Sequence, residues 1–585
     1  MKTVLLFGAS GVFGRRLAEH LSGWPDIELI VTSRSKAKAL DLAQDLARKR
    51  LKKHPQGSKI IGLGLNLDSH ISGKLKSLAP WAVINCAGPF QGAGHSLAKD
   101  ALSAKAHFID IADAPDYLRT FHDGLDDLAK TKGSAAIAGA SSTPALSDAV
   151  AKDLTAGWRR VDSIEIAIAP GGKSEVGLSV IQGVLSYCGR PITVWRNGEA
   201  GLVRGWGQGR YWKIPDLGRR RIAAVETIDP ENLGPELDVA ATVSFYAGLE
   251  SHLEQFGLEL LSYMRALGFF GSLQSLAPLL HRARGFTRRF NGDRGAMILA
   301  ATGLDHEGRW IEGRWQLTAS QDHGPYVPIL PAAAALRALM DSDPTSGARL
   351  GPAFLSLDNI EAQMTPYAIT TRREAFSLDK GLFRKALGDS SFDLLPKALR
   401  TFHGLAGQPV WSGRAEVRRG SGWVSRIIGK IMGLPNPGQN IAVTVAVQRG
   451  RVEDQENEPF EIWTRRFGDR EFSSRLTCPG PGQFQEAFGP LSFTLDLTVD
   501  EGIITMPLAA WRFLGIPLPR ALGPRSISSE QEDNEGRFVF DVRLELPFLG
   551  LLAHYRGWLV PKGTPSTTSL PKITPQFTPP PRVPR

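Results

Sequence analysis

Val4-Leu-Leu-Phe-Gly8-Ala-Ser-Gly11-Val-Phe-Gly14-Arg15 is the stretch that decides how the first part of the chain folds. Val4 to Phe7 is an apolar run of the length of one buried strand. Gly8, Gly11 and Gly14 follow, and Arg15 to Leu21 continues with helical periodicity through Leu17, Ala18 and Leu21. A strand, a glycine turn and a helix in that order give each glycine a physical task. Gly8 permits the tight turn, Gly11 lets the backbone approach a pyrophosphate, and Gly14 lets the helix lie close on the strand. The phosphates would rest on free amides at the helix N-terminus, beside Ser10 and Phe13.

Outward from that turn, strand and helix patterns alternate. Strands are expected at Glu28 to Thr32, Lys59 to Leu65, Trp81 to Asn85, His107 to Ile111 and Ala135 to Ala138. Between them, Lys36 to Lys53, His95 to Ala104 and Asp116 to Lys130 read as helices. Repeated βα units with short apolar strands predict a doubly wound parallel sheet over residues 1–150, a Rossmann domain in an α/β chain. NAD sites usually place an acid at the end of the second strand, to hold the ribose 2′-hydroxyl. Here the strand ends Val31-Thr-Ser-Arg34, with Lys36 and Lys38 beyond, and Glu28 lies too early to serve. Arg34 can pair with a 2′-phosphate and Ser33 can donate to it, so the expected cofactor is NADP(H). The plain alternative is that Arg34 merely starts a surface helix.

The fourth strand ends in Cys86-Ala87-Gly88-Pro89-Phe90, at the crevice edge where open α/β sheets bind ligands. Cys86 reads as a small buried residue rather than a nucleophile, since no paired histidine and acid accompany it. The run Gly8-Ala-Ser-Gly-Val-Phe-Gly14, then Thr32-Ser-Arg34, Asn85-Cys-Ala-Gly-Pro-Phe90 and His107-Phe-Ile-Asp110 resembles the NADP-binding domain of the saccharopine dehydrogenase family. The resemblance implies an NADP-dependent oxidoreductase that passes hydride to or from a C=N, C=O or C=C bond. Members commonly carry Asp-x-x-Gly-Glu after the fifth strand; Asp110-Ile-Ala-Asp113-Ala114 keeps only the first aspartate. The family's Gly-x-Asp-Ser-x-Pro-x-Asp segment stands here as Gly139-Ala-Ser-Ser-Thr-Pro144-Ala-Leu-Ser-Asp148, without its first aspartate. These departures on the substrate side leave the substrate open.

Residues 151–380 change character. Ser163 to Ile168, Ala240 to Phe245, Ala296 to Ala301 and Trp310 to Thr318 look like strands, and Pro331 to Met340 is an alanine-rich helix. A mixed α+β substrate or dimerisation domain is expected, with the chain returning at its end to cover the first domain. Residues 381–560 are β-rich: Phe538, Phe540, Val542, Leu544 and Leu546 alternate with polar residues, as do Phe493, Leu495, Leu497 and Val499. Such period-2 strands predict a curved antiparallel sheet or barrel. Phe392 to His403, Glu461 to Phe467, Leu514 to Pro519 and Tyr555 to Gly557 resemble an uncharacterised bacterial domain that occurs alone or fused to such dehydrogenases. His403, Arg465 and the tryptophans either line a pocket for a bulky or hydrophobic molecule or serve an aromatic core, the second being favoured. The Pro/Thr/Ser-rich residues 561–585 are expected to be a disordered tail.

The 585 residues carry a formal net charge of +10. No nucleic-acid motif accompanies the basic clusters, so solvated faces are expected rather than nucleic-acid contact. Three separated cysteines (Cys86, Cys188, Cys478), without Cys-x-x-Cys spacing, argue against a disulfide framework and a structural zinc site. With no secretory leader apparent, a cytoplasmic protein is expected. Leu260 to Leu280 is apolar except for Arg265. A buried or interface helix pair, as in a homodimer, is preferred there over contact with a membrane surface. A non-catalytic NADP-responsive protein at a lipid surface is the alternative function. Catalytic candidates are sparse: His95 just after the Cys86–Phe90 loop, and Asp110 and Asp113 after the fifth strand. The polar turn Asp322-His-Gly-Pro-Tyr326 reads as a cap. Hydride transfer needs no enzymic nucleophile, because the cofactor carries that chemistry.

Overall fold

The computed structural model describes residues 1–67, 71–342, 345–420, 422, 429, 433–451, 458–547 and 550–564. The chain forms two compact units, Met1–Ser377 and Leu378–Arg585. In the first unit, β1 (Lys2–Phe7), β2 (Ile27–Ser33), β3 (Lys59–Gly64), β4 (Ala82–Asn85), β5 (His107–Asp110) and β6 (Ala135–Ala138) alternate with helices. These are α1 (Val12–Leu21), α2 (Lys36–Lys53), α3 (Ile71–Leu78), α4 (Ser96–Ser103), α5 (Pro115–Arg119) and α6 (Phe121–Lys132). The strands pair in parallel in the order β3-β2-β1-β4-β5-β6, the doubly wound arrangement expected. Val4, Leu5, Leu6 and Phe7 are all buried, because helices cover both faces of the sheet. Leu17, Ala18 and Leu21 form the buried stripe of α1, as their spacing predicted. The helix expected over Asp116 to Lys130 is instead two, broken at Thr120.

The chain does return to this sheet. Gly347–Leu350 adds a seventh parallel strand beside β6. The alanine-rich helix Leu330–Asp341 packs against α1 and β5, with Arg337 bonded to Asp26 at 2.8 Å and its guanidinium 4.0 Å from the Trp24 ring. The Asp322–Tyr326 turn also docks on α1, through the bond from the Tyr326 hydroxyl to Glu19 at 2.8 Å.

The second sheet of this unit is mixed and has nine strands. Its central strand, β7 (Arg160–Ala169), runs parallel to Thr242–Ala247 and antiparallel to Gly295–Leu304, and Trp310–Ala319 and Ile369–Ser377 continue that side. Four strands between Pro191 and Ala224 were not foreseen. They include Glu199-Ala-Gly-Leu-Val-Arg204 and Gly218-Arg-Arg-Arg-Ile-Ala-Ala224, whose half-exposed, arginine- and glycine-rich sequences carry little period-2 signal.

Of the two arrangements expected near 260, a buried helix pair is not the one found. The helix His252–Ala266 buries Gln255, Ser262 and Arg265 and exposes Leu253, Phe256, Leu260 and Tyr263. The reason is a polar socket. Arg265 donates to the carbonyls of Leu185, Ser186, Cys188 and Gly271, and Ser262 donates to Gly205. Among the described residues, no helix is long and apolar enough to cross a membrane.

The second unit is a curled antiparallel sheet of thirteen strands, preceded by short helices between Leu382 and His403. Phe538, Phe540, Val542, Leu544 and Leu546 share its concave face, as their alternation predicted. The expected disordered tail lies, from residue 565 on, outside the described residues.

Candidate functional site

The register of the first sheet assembles the crevice. Leu6 pairs with Val31 and Phe7 with Asn85, so Gly8, Ser33 and Cys86 lie at one carboxyl edge. That edge is the topological switch point, where neighbours β1 and β4 send their helices to opposite faces. Gly8 has φ +74°, and a Cβ there would stand 2.6 Å from the Cys86 carbonyl carbon. A Cβ on Gly14 would meet the Gly8 oxygen at 2.2 Å. Two glycines are thus required by close packing alone. Gly11 donates to Gly8 at 2.9 Å and precedes α1 without any side-chain cap, while Ser10 is exposed. The first-turn amides of α1, around half-exposed Phe13, therefore have no capping side chain and suit an anionic group.

Arg34 is exposed just beyond β2 and forms no ion pair among the described residues. Ser33 is half-buried. Ser35 caps α2 by accepting from Lys38. Ala87 donates to the Asn85 side chain at 3.0 Å, and Gly88, Pro89 and buried Phe90 complete the opposite rim. The Cys86 thiol is pushed well up, first by burial and then by the charge of Asp110, so it stays protonated and is no nucleophile.

The three acid–base candidates occupy different positions. Asp110 is fully buried and already used. Its carboxylate accepts from the Ala112 amide at 3.0 Å, the Gly139 amide at 2.9 Å and the Tyr117 hydroxyl at 2.8 Å. Burial outweighs these bonds and raises its pKa to about 6. Its place is a staple between β5 and the turn after β6, not the crevice wall. His95 stands at the N-cap position of α4 without capping it through its side chain, contacts Thr120 at 3.0 Å and packs edge-on against Tyr117 with centroids 4.4 Å apart. Burial, then Lys99, lowers its pKa, so the ring is neutral near pH 7.

Asp113 does reach the crevice. It is accessible to water yet enclosed by protein on most sides, which raises its pKa; Gln91 approaches it at 3.5 Å. The sequence reading missed its companions. A helix, α7 (Ser147–Leu154), leads to β7, and α8 (Leu178–Tyr187) then covers the crevice. A Cβ on Gly177 would touch Val12 at 3.6 Å, and one on Gly183 would touch Gln91 at 3.3 Å. Tyr187 at the end of α8 is held far above the ordinary phenol range, by burial first and then by the charges of Asp113 and Glu226. Glu226 is itself raised, by burial first and then by Asp116. Two carboxyl groups held above their usual range around a phenol can donate or accept a proton nearer neutral pH than free carboxylates do. Only Gln91, one residue past the Cys86–Phe90 loop, carried a positional hint. Among the described residues, no cluster of three or more His, Cys, Asp or Glu side chains could hold a metal ion.

Residues 395–559 match the model of a family described as a domain of unknown function, DUF4166. This fits the fused C-terminal domain read from the sequence. No curated protein matches the chain. Among solved structures, it is similar to saccharopine dehydrogenase (L-Glu forming) from Saccharomyces cerevisiae, at 16% identity and a TM-score of 0.45, over 64% of this chain and 100% of that one. It is also similar to the C. glutamicum DAP dehydrogenase in complex with DAP, at 12% identity and a TM-score of 0.33, over 62% of this chain and 98% of that one. Both of these structures are dehydrogenases.

Proposed function

We propose that the chain is an NADP(H)-dependent oxidoreductase of the saccharopine dehydrogenase-like type. The observation that carries this reading is the close approach of Gly8 to Cys86 beside an uncapped α1, with Arg34 unpaired on the same edge. Gly8, Ser10, Gly11, Phe13 and Gly14 hold the pyrophosphate. Ser33 and Arg34 hold the 2′-phosphate. Cys86, Ala87, Gly88, Pro89 and Phe90 border the ribose and nicotinamide. The cofactor, when bound, supplies or takes the hydride. Asp113 and Glu226 hold the proton that accompanies reduction of a C=N, C=O or C=C bond, and α8 limits water beneath it.

Fluorescence titration tests the cofactor. NADPH is expected to bind at least about tenfold more tightly than NADH, since a charge-assisted pair contributes about 1.5–3 kcal/mol. Arg34→Ala should remove most of that gap. Equal affinities in the unaltered protein would refute the assignment.

One feature favours a second reading, a non-catalytic NADP-responsive protein at a lipid surface. Leu253, Phe256, Leu260, Tyr263 and Leu267 recur at helical spacing and are all exposed, as are Phe269, Leu279 and Phe286 nearby. The acids of this helix, Glu254 and Glu259, are paired with Arg284 and Arg221, whereas exposed Arg282 and Arg289 form no ion pair among the described residues. An apolar face with uncompensated positive charge suits an anionic interface. The expected result is co-flotation with phosphatidylserine vesicles, weakened about tenfold by Leu260→Asp. Protein confined to the aqueous fraction removes this reading, and concentration-dependent dimerisation through the same face replaces it.

A further inference from the structure

We propose that the curled sheet of the second unit is a binding site for an uncharged, lipid-like small molecule that carries one hydrogen-bonding oxygen. No residue of the dinucleotide crevice takes part, so this site stands or falls apart from the cofactor reading.

The concave face encloses a cavity of about 310 Å³. That is within the roughly 300–1,000 Å³ range of small-molecule pockets. Its walls are almost wholly apolar. Phe540, Val542 and Leu544 come from one strand, and Leu491, Phe493 and Leu495 from another. Both ends of the sheet contribute, Leu508 and Trp511 from one and Ser526 and Ser528 from the other. A solid aromatic core would have interdigitated these side chains to near-crystalline density and left no space of this size.

One polar atom on the wall has no use within the protein. Tyr555 is only 8% exposed and lines the cavity, and its hydroxyl has no hydrogen-bond partner among the described residues. A phenol hydroxyl on an apolar wall normally finds a hydrogen-bond partner, and this one is open to the cavity alone. Burial pushes its pKa up to about 12, with Arg465 opposing and Glu486 reinforcing the shift, so it remains a donor at neutral pH. The charged groups on the wall, by contrast, are spent on one another. Arg465 donates to Glu486 at 3.2 Å and to Ser474 at 2.8 Å, and its guanidinium lies 4.8 Å from the Trp463 ring. Glu530 is engaged by the His403 ring nitrogen at 2.8 Å. A carboxylate or ammonium head would enter without a counter-charge and pay the full desolvation cost. An alcohol, aldehyde, ketone or ester oxygen meets no such penalty and satisfies Tyr555. The geometry therefore selects an apolar body with a neutral oxygen.

Displacement of Nile red from the full-length protein tests this, with 1-dodecanol and dodecanoate as competitors. The alcohol is expected to displace the dye, and the carboxylate to compete at least about tenfold more weakly. Tyr555→Phe keeps the ring and removes the donor, and should weaken the alcohol about three- to tenfold. Val542→Trp fills the cavity and should abolish dye binding, which keeps the test decisive if the first variant folds poorly. Retained dye binding in Gly8→Ala separates this site from the crevice. No displacement by the alcohol, equal competition by the carboxylate, or unchanged competition in Tyr555→Phe would each overturn the proposal.

Discussion

Gly8→Ala is expected to destabilise the first unit by about 3 kcal/mol and to weaken NADPH binding by more than about tenfold. Two costs combine. The backbone at Gly8 has φ +74°, a region that costs an L-residue about 1–2 kcal/mol. The new methyl also meets backbone, not a flexible side chain: the Cys86 carbonyl carbon at 2.6 Å and the Ala87 amide nitrogen at 2.7 Å. Relief would require β1 and β4 to part at their carboxyl ends, which is where the proposed cofactor site gathers its phosphate-binding amides. Gly133→Ala isolates the first cost. Gly133 has φ +65° at the end of α6, and an added Cβ there would meet nothing within 4 Å. It should lose only about 1 kcal/mol and bind NADPH normally. Urea unfolding and fluorescence titration of both variants measure the difference. If Gly8→Ala behaves like Gly133→Ala, the close approach of the two strand ends is not what organises the site.

Why the sequence announced this part of the fold and not others follows from how side chains report their surroundings. β1 is buried on both faces, so Val4 to Phe7 is continuously apolar, and the glycines after it are dictated by backbone contact. Both signals are local. The antiparallel strands of the second unit are legible for a related reason: the face of Phe540, Val542 and Leu544 is apolar and the opposite face carries Asp541, Arg543 and Glu545. That pattern does not distinguish a filled core from a hollow one, since a cavity wall and a packed interior demand the same residues. Arg465 and Trp463 suit either, and nothing in their spacing separates the two. The inside-out helix at His252–Ala266 fails for a different reason. Its periodicity is sound, but Arg265 is drawn inward by carbonyls at Leu185, Ser186 and Cys188, nearly eighty residues earlier. Likewise the company of Asp113, namely Tyr187 and Glu226, comes from the second sheet region and shares no spacing with it.

Asp110→Asn is expected to flatten the pH dependence of stability between about pH 4 and about pH 6, and to leave the variant up to about 3 kcal/mol more stable at neutral pH than unaltered Asp110 would allow. The folded pKa is raised to about 6 from the ordinary 3.8, because full burial penalises the carboxylate more than its three hydrogen bonds favour it. The folded state therefore binds the proton more tightly than the unfolded state. Its stabilising contribution is complete below the unfolded pKa, near 3.8, and is lost as pH rises through about 6. Asparagine carries no charge to desolvate, and its carbonyl oxygen can still accept from the Ala112 and Gly139 amides. The remaining bond decides how much of the gain survives, since Tyr117 now donates to nothing charged and must accept from the new amide instead. Asp148, buried and also raised to about 6, keeps its own loss in both proteins, so the difference between them reports Asp110 alone. Urea unfolding across this window, with the transition of residues 1–377 assigned by hydrogen exchange, measures it. Parallel curves for the two proteins would mean that Asp110 is already charged at pH 4 in the folded chain, and that the staple between β5 and the turn after β6 is an anion held by three donors rather than a carboxyl group shielded from water.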